Sequence, residues 1–316
     1  MKKPRTLQQA IVHYSKPENC LAFIVERRWP NGVECPTCGS KEVRFLATRN
    51  LWECKSKHPR KQFSAKVGTI FEDSALPLDK WLIAIWMISN CKNGVSSYEI
   101  ARALGVTQKS AWFMLHRIRL AMQAKSFVKL GGNGTPVEVD ETFVGGAARF
   151  MHADKRQRRI TETGTKDKIA IQGILERGGE IRADVVWNRK KHLLQKNIRT
   201  HVKAGSAIYT DALMSYMGLN QDFAHQVIDH AERYVDGQVH TNGLENFWSL
   251  LKRQLKGTYI SVEEFHLFRY LAEQVFRYNY RGLPNDGARF VEVASQIFGK
   301  RLTYKELTGK TESAVN

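Results

Sequence analysis

Residues 240–256 read HTNGLENFWSLLKRQLK and predict one helix with two unlike faces. Large apolar side chains recur at helical spacing and predict the buried face: Leu244, Trp248, Leu251 and Leu255. Polar and charged side chains fall together on another face: Asn242, Glu245, Ser249 and Lys252. Asn242 is suited to cap the helix, with Glu245 three residues on. The helix thus carries a carboxylate and a lysine beside an apolar anchor, although a solvated face with a capping glutamate gives the same pattern.

Two further acidic residues lie upstream, at the ends of predicted strands. The chain from residue 131 onward predicts three strands, a helix, a fourth strand and then helices, which is an α/β arrangement with a mixed sheet and flanking helices. Asp140 ends the first strand, within residues 136–144, and Asp211 ends the fourth, after residues 207–209. The region therefore offers two strand-end carboxylates and one helical carboxylate to a common site.

Three carboxylates of this kind can hold two divalent cations. Mg²⁺ takes oxygen ligands and keeps several of its waters, so three acidic side chains suffice. A two-metal site activates the attacking oxygen and stabilises the leaving oxygen in phosphoryl transfer. The pattern alone is weak because 31 acidic residues allow many such triples. Other acidic residues compete for the same role: Glu138, Glu141, Asp229 and Asp236.

The charge of the chain favours a nucleic-acid partner. Its 316 residues, enough for two or three domains, carry a net charge of +18, and residues 1–70 contain 14 Lys and Arg, 5 Glu and no Asp. Each Lys or Arg that contacts a phosphate backbone releases condensed counterions, so a surplus of this size favours DNA or RNA. No apolar run approaches the length of a membrane span, and a membrane partner is therefore not expected.

Cysteine spacing predicts a zinc ribbon near the N-terminus. Cys35 and Cys38 form a C-x2-C knuckle, and Cys54 with His58 forms a C-x3-H pair. A predicted hairpin around residues 48–50 lies between them. Two knuckles joined by a hairpin fit one structural Zn²⁺ with tetrahedral ligation. The alternative is that Cys54 is a buried thiol and His58 a surface base.

The two remaining cysteines, Cys20 and Cys91, lie on apolar helical faces, and we expect both to be buried thiols. The odd total of five cysteines argues against a disulfide framework and for a reducing compartment.

Residues 96–122 predict two helices joined by a turn at Gly105. Ser96 and Glu99 match a capping box at the start of the first helix, and Thr107 caps the second. Such a pair is a helix-turn-helix, whose second helix would offer its first side chains to a DNA major groove: Gln108, Lys109 and Ser110. An ordinary helical hairpin is the alternative, but the positive charge favours DNA binding.

These patterns divide the chain into three predicted segments. Residues 1–70 hold two short helices and the zinc ribbon, residues 71–130 hold the helix-turn-helix, and residues 131–316 form the α/β catalytic domain with its C-terminal helices. An aromatic-rich helix is predicted at 262–280, with Phe265 and Phe268 among its core residues.

Several stretches resemble bacterial insertion-sequence DDE transposases with an N-terminal zinc ribbon and an ISXO-two-like transposase domain. They are CPTCGS, QFSAKVGTIFEDSALPLDKW, VEVDETFVGG, IYTDALMSY, VHTNGLENFWSLLKRQLKGTY and HLFRYLAEQVFRYNYR, and they cover roughly residues 20–281 in order. The resemblance implies a ribonuclease-H-like catalytic core, dependence on Mg²⁺ or Mn²⁺ with two ions per active site, cleavage at element ends and strand transfer into target DNA.

The resemblance also implies roles for particular residues. Asp140, Asp211 and Glu245 would be the catalytic metal ligands, with Asn242 as an alternative third ligand. Lys252 resembles the basic residue that follows the third acid and would contact a DNA phosphate. The chain departs from the pattern in two places, since His58 stands where a second paired cysteine is usual and GTYI lacks a histidine after its tyrosine.

The leading hypothesis is therefore an active DNA transposase. Its partners would be double-stranded DNA, both terminal inverted repeats and target, bound by a dimer or larger homo-oligomer. The expected location is the bacterial cytoplasm, in association with the nucleoid. A catalytically inactive DNA-binding regulator is the alternative, and the three intact acidic residues argue against it.

Overall fold

The computed structural model describes residues 4–123, 128–145, 154, 168–187, 190–211, 214–228 and 240–309. The chain divides into two compact units, Met1–Gln123 with Gly282–Asn316, and Ala124–Arg281. The C-terminal segment thus groups with the N-terminal unit, whereas the sequence places it after the catalytic domain as part of 131–316. Within the described ranges, none of the helices has the length and hydropathy that a bilayer span requires.

The first unit begins with two helices and a small sheet. Helix α1 is Leu7–Tyr14 and helix α2 is Pro17–Arg28, with the proline at the first helical position, where its missing N–H costs nothing. Strands β1 (Val43–Leu46), β2 (Leu51–Cys54) and β3 (Gln62–Phe63) form an antiparallel sheet. The predicted helices and hairpin are confirmed, and the two-residue strand β3 is an addition.

The helical part of the first unit is built around α3 (Leu78–Asn90), which is buried along most of its length. Helix α9 (Asp286–Ser295) packs on it, with the Phe290 ring 5.1 Å from the Trp86 ring. Buried Arg117 also donates to the carbonyl of Leu302 at 2.9 Å, and a short helix, α10 (Tyr304–Leu307), follows. These contacts explain why the C-terminal segment folds with this unit.

The predicted helix pair is present as α4 (Ser97–Leu104) and α5 (Gln108–Met122). The capping box of Ser96 and Glu99 forms, and Gly105 adopts the left-handed φ of 60° that the turn requires. The predicted inner side chains of the second helix are buried: Ala111, Leu115 and Ile118. Cys20 is buried as expected, but the prediction for Cys91 is wrong: it follows the last residue of α3 as its C-cap and is half-exposed.

The second unit contains a five-stranded mixed sheet. Its strands, in chain order, are β4 (Val137–Val144), β5 (Ile169–Glu176), β6 (Ile181–Val186), β7 (Ala207–Asp211) and β8 (Ala224–Ile228). The spatial order is β6-β5-β4-β7-β8. The first three strands pair antiparallel, and β7 is parallel to both β4 and β8, with α6 (Lys191–His201) preceding β7. A mixed sheet is thus confirmed, but the prediction of four strands misses β8.

Alternating side chains divide this sheet into two buried faces. One face packs against α7 (Asn242–Arg253) and α8 (Leu267–Asn279), through residues such as Leu175, Leu244 and Leu271. The opposite face packs against α6 through Val139, Ile174, Ile198 and their neighbours. The prediction that the aromatics of residues 262–280 are core is only partly right, because Phe265 and Phe268 are exposed.

Helix α7 lies unusually close to the sheet. A Cβ at Gly173 on β5 would stand 2.7 Å from the Trp248 ring, and a Cβ at Gly243 would stand 2.6 Å from Leu175. Both distances are shorter than real Cβ contacts, so a side chain at either position would force the neighbouring groups to shift. The apolar side chains predicted for this helix are all buried: Leu244, Trp248 and Leu251 lie in α7, and Leu255 lies in the π-helical segment Gln254–Tyr259 that follows it.

Candidate functional site

Asp140 lies within β4 rather than at its end, because the strand continues to Val144. Its partner on β5 is Gly173. On the other side, β4 and β7 pair in parallel, with Glu138 opposite Tyr209 as the last paired residues. Extending this register by two residues would place Asp140 next to Asp211, whose charge acts on Asp140. Neighbouring strands lie about 4.8 Å apart, and the alternation of side chains turns both carboxylates to the α7 face.

The carboxylate of Asp140 is held from two sides. Its Oδ2 accepts a hydrogen bond from the indole Nε1–H of Trp248 at 2.9 Å, and its Oδ1 accepts from the backbone N–H of Glu141 at 2.8 Å. Burial, and after it the negative charges of Asp211 and Glu245, raise the pKa of Asp140 to about 6, although the two hydrogen bonds act to lower it. Asp211 and Glu245 are therefore near enough for their charges to act on Asp140.

Glu245 reaches this place from α7. It is exposed and precedes Trp248 by three residues, so the two side chains are neighbours on the helix surface. The sheet and the helix thus bring Asp140, Asp211 and Glu245 to one face of the second unit. Their like charges repel one another, and a bound divalent cation would relieve that repulsion.

Two competing acids of β4 have other partners. Glu138 is 1% exposed, and its carboxylate accepts from Arg177 Nε at 2.8 Å and from the backbone N–H of Leu244 at 3.1 Å. It is therefore a buried anchor for the start of α7. Glu141 points to the opposite face of the sheet, where the Tyr216 hydroxyl donates to it. Asp229 and Asp236 lie outside the described residues.

Asn242 and Lys252 lie on the exposed side of α7. Asn242 is the first helical residue rather than the N-cap, which is Thr241, so its predicted capping role is wrong. The start of α7 is capped from the sheet by Glu138 instead. Asn242 is exposed and Lys252 is half-buried, on the same side of the helix as Glu245.

Sequence reasoning missed three residues of this region: Trp248 as a hydrogen-bond donor to Asp140, and Glu138 with Arg177 as the anchor of α7. The helical spacing predicts Trp248 only as a buried apolar residue, because spacing carries no information about the partner of its indole N–H. Glu138 gave a usable signal, since a glutamate between two buried valines of a strand needs a buried partner.

In the first unit, the four predicted zinc ligands come together. The ligand atoms of Cys35, Cys38, Cys54 and His58 all lie within 4.8 Å of one another. The Cys38 and Cys54 sulfurs are 3.6 Å apart, and the Cys35 sulfur is 3.4 Å from His58 Nε2. A tetrahedral zinc with Zn–S bonds of about 2.3 Å separates its ligands by about 3.8 Å, which fits this cluster. Among the described residues it is the one compact group of this kind, and the three carboxylates are less tightly gathered.

The chemistry of these donors also fits zinc. Burial alone raises the pKa of the Cys35 thiol, but hydrogen bonds from the backbone of Thr37 and Cys38 and from the neighbouring thiols outweigh it and lower the pKa to about 6. A thiolate is the form that ligates metal. The cluster therefore supports one structural zinc.

The three predicted base-reading side chains of α5 differ in accessibility. The Gln108 amide donates to Ser97 Oγ at 2.8 Å, and the Ser110 hydroxyl accepts from Thr107 at 2.9 Å. Lys109 is exposed, with its Nζ 4.8 Å from the Tyr304 ring. Lys109 is thus the freest of the three to meet a ligand.

We predict that Cys54→Ser lowers the zinc content of the full chain from about one ion to near zero, because a structural site needs all four ligands. Metal analysis after dialysis measures this. Cys91→Ser is the matched control and should keep its zinc, since Cys91 lies outside the cluster. Retention of one zinc by Cys54→Ser would contradict the assignment.

A second prediction concerns the raised pKa of Asp140. The folded state binds more protons than the unfolded state between about pH 4 and 6, so stability falls as the pH rises through that window. Asp140→Asn removes the buried charge and should raise the free energy of unfolding at pH 7.5 by about 1–3 kcal/mol, but have little such effect at pH 4. Urea unfolding without Mg²⁺ or Mn²⁺ measures it.

The control for this prediction is Asp184→Asn, which changes an exposed aspartate of β6. It should show no comparable gain. Destabilisation of Asp140→Asn at pH 7.5 would mean that the charged carboxylate stabilises the fold.

Comparisons with known proteins agree with these observations. Residues 129–279 match the family model of the ISXO2-like transposase domain, and residues 16–58 match the transposase zinc-ribbon domain. A protein in the transposable element ISH50 of Halobacterium salinarum is 28% identical over 261 residues, which cover 78% of this chain and 85% of that relative. A transposase-like protein of Haemophilus influenzae is 34% identical over 96 residues, which cover 30% of this chain and 77% of that relative.

The first match covers the unit with the mixed sheet, and the second covers the cluster of three cysteines and one histidine. Both agree with the resemblance that the sequence motifs indicate. The chain therefore belongs to the family of transposases that carry an ISXO2-like transposase domain together with a transposase zinc ribbon.

Proposed function

We propose that this chain is a DNA transposase that cuts phosphodiester bonds at the ends of its element and joins them to target DNA. Asp140, Asp211 and Glu245 would hold two Mg²⁺ or Mn²⁺ ions at its active site. The observation that carries the proposal is the meeting of these three carboxylates on one face, where the charges of Asp211 and Glu245 raise the pKa of Asp140.

The strand order supports a ribonuclease-H-like core. Three antiparallel strands are followed by two parallel ones, with the first strand of the sheet in the centre. The central position lets Asp140 meet Asp211 from the adjacent parallel strand and Glu245 from the covering helix. A carboxylate set of this kind suits a hard cation that prefers oxygen ligands.

Each residue of the proposed site would have its own role. Asp140, fixed by its two hydrogen bonds, presents a carboxylate of defined orientation, and Asp211 and Glu245 complete the ligand set. Bound divalent cations would supply activation of the attacking oxygen and stabilisation of the leaving oxygen. Lys252 would neutralise a DNA phosphate as a point charge. Asn242 is the alternative third ligand, since it is exposed near Glu245.

DNA recognition is assigned to the first unit. The surplus of positive charge in residues 1–70, the zinc ribbon and the α4–α5 helix pair are the supporting features. Lys109 is the first candidate for a base contact because it is exposed, whereas Gln108 and Ser110 are partly buried and hydrogen-bonded within the helix pair. A dimer or larger assembly on DNA is part of the proposal.

For DNA recognition, we predict that Lys109→Ala lowers the preference for element-end DNA over random DNA by about 1–3 kcal/mol if Lys109 contacts a base. Gel-shift titrations on both DNAs at one salt concentration measure this. Lys92→Ala, at an exposed lysine outside the helix pair, is the control. An equal loss on both DNAs would assign Lys109 to phosphate instead.

For catalysis, we predict that Asp140→Asn and Asp211→Asn each lower the rates of cleavage and strand transfer by more than about 100-fold. Loss of a residue that only orients a metal ligand costs up to about 100-fold, and loss of the ligand itself should cost more. The amide keeps the side-chain shape but removes an anionic ligand. Cleavage of a labelled element end with Mg²⁺ or Mn²⁺ is the assay, with a gel-shift on the same DNA as the control for binding.

Two further variants decide the third ligand. Glu245→Gln should be more severe than Asn242→Ala if Glu245 is the ligand, and the reverse order would favour Asn242. Lys252→Ala should weaken DNA positioning and leave metal binding intact. A wild-type chain that binds its element ends but never cuts under either metal would favour the alternative, a catalytically inactive DNA-binding regulator.

A further inference from the structure

Helix α7 contributes a second side chain to the proposed metal centre besides Glu245. Trp248, three residues after Glu245, donates its indole N–H to Asp140 Oδ2 at 2.9 Å. The other oxygen of Asp140 accepts from the backbone N–H of Glu141. Each carboxylate oxygen keeps a further lone pair, so both hydrogen bonds leave Asp140 able to ligate a cation.

The indole ring is itself held rigidly. Trp248 is 4% exposed and lies edge-on to the Phe247 ring at 5.1 Å. Its other side faces Gly173, where a Cβ would stand 2.7 Å from the ring. A ring confined in this way cannot follow a rotating carboxylate, so the hydrogen bond fixes the orientation of Asp140.

We propose that Trp248 is a positioning residue of the metal centre, which orients Asp140 for the cation and sets its distance from Glu245 on the same helix. The inference rests on the proposed function, because it requires Asp140 to be a metal ligand. Partners that orient metal ligands typically contribute 10–100-fold to affinity. The alternative is that Trp248 only fills the core and its buried N–H takes Asp140 as a convenient acceptor.

Metal affinity separates these two roles. Mn²⁺ is titrated into the zinc-loaded full chain and the free ion is followed by electron paramagnetic resonance. Trp248→Phe keeps an aromatic ring but removes the donor, and should weaken Mn²⁺ binding by about tenfold. Trp187→Phe is the matched control, at a tryptophan that is 72% exposed, and should bind as the wild type does.

Asp140→Asn distinguishes failure of this inference from failure of the proposed function. If Asp140→Asn loses Mn²⁺ while Trp248→Phe binds like the wild type, only the positioning role of Trp248 is overturned. If Asp140→Asn also binds like the wild type, or if the wild type binds no Mn²⁺, the proposed metal centre is wrong and this inference falls with it.

A measurement on the wild type covers the case in which Trp248→Phe does not fold. In a chain labelled with ¹⁵N at its seven tryptophan indoles, Mg²⁺ should shift one indole resonance strongly. The same resonance should be displaced in Asp140→Asn without metal and should no longer respond to Mg²⁺. Mn²⁺ binding by the wild type with no indole resonance that responds to Mg²⁺ would overturn the role of Trp248.

Discussion

The face of the second unit that holds Asp140 and Glu245 depends on how closely α7 approaches the sheet. Gly173 and Gly243 lack the Cβ atoms that would keep the helix farther from the sheet. Such atoms would lie only 2.7 Å from Trp248 and 2.6 Å from Leu175. At this separation the indole of Trp248 reaches Asp140, and Glu245 comes near enough for its charge to act there. A helix displaced outward by the width of a methyl group would lose the hydrogen bond and separate the carboxylates.

The same close approach explains why a second glutamate is buried under the helix. An isolated carboxylate at 1% exposure is very costly, and Glu138 is tolerated because Arg177, the Leu244 N–H and nearby His240 surround it. Arg177 also donates to the carbonyl of His240, just before the helix. The anchor therefore fixes where α7 begins. Two acids of β4 on this face thus have different roles. Glu138 anchors the helix, and Asp140 lies where the helix places Glu245.

Much of this arrangement could be predicted from local sequence. The cysteine spacing, the capping box at Ser96 and the alternation in β4 each depend on residues that are near neighbours in the chain, so spacing alone carries the information. What the sequence could not give depends on contacts between distant elements. The edge strand β8 lacks a clear apolar pattern, Gln108 turns to Ser97 instead of solvent, and the partner of Trp248 lies 108 residues away.

Burial gives Asp140 a role that an exposed aspartate could not fill. Burial and the neighbouring charges raise the pKa of Asp140 to about 6, so its carboxylate holds a proton to a higher pH than an exposed aspartate does. In the proposed metal centre, a proton and a divalent cation would relieve the same repulsion among Asp140, Asp211 and Glu245, so they would compete for one site. Glu138 anchors the start of α7 independently of these three acids, through its hydrogen bond from the Leu244 N–H, so the proposed metal centre would already be assembled before a cation binds.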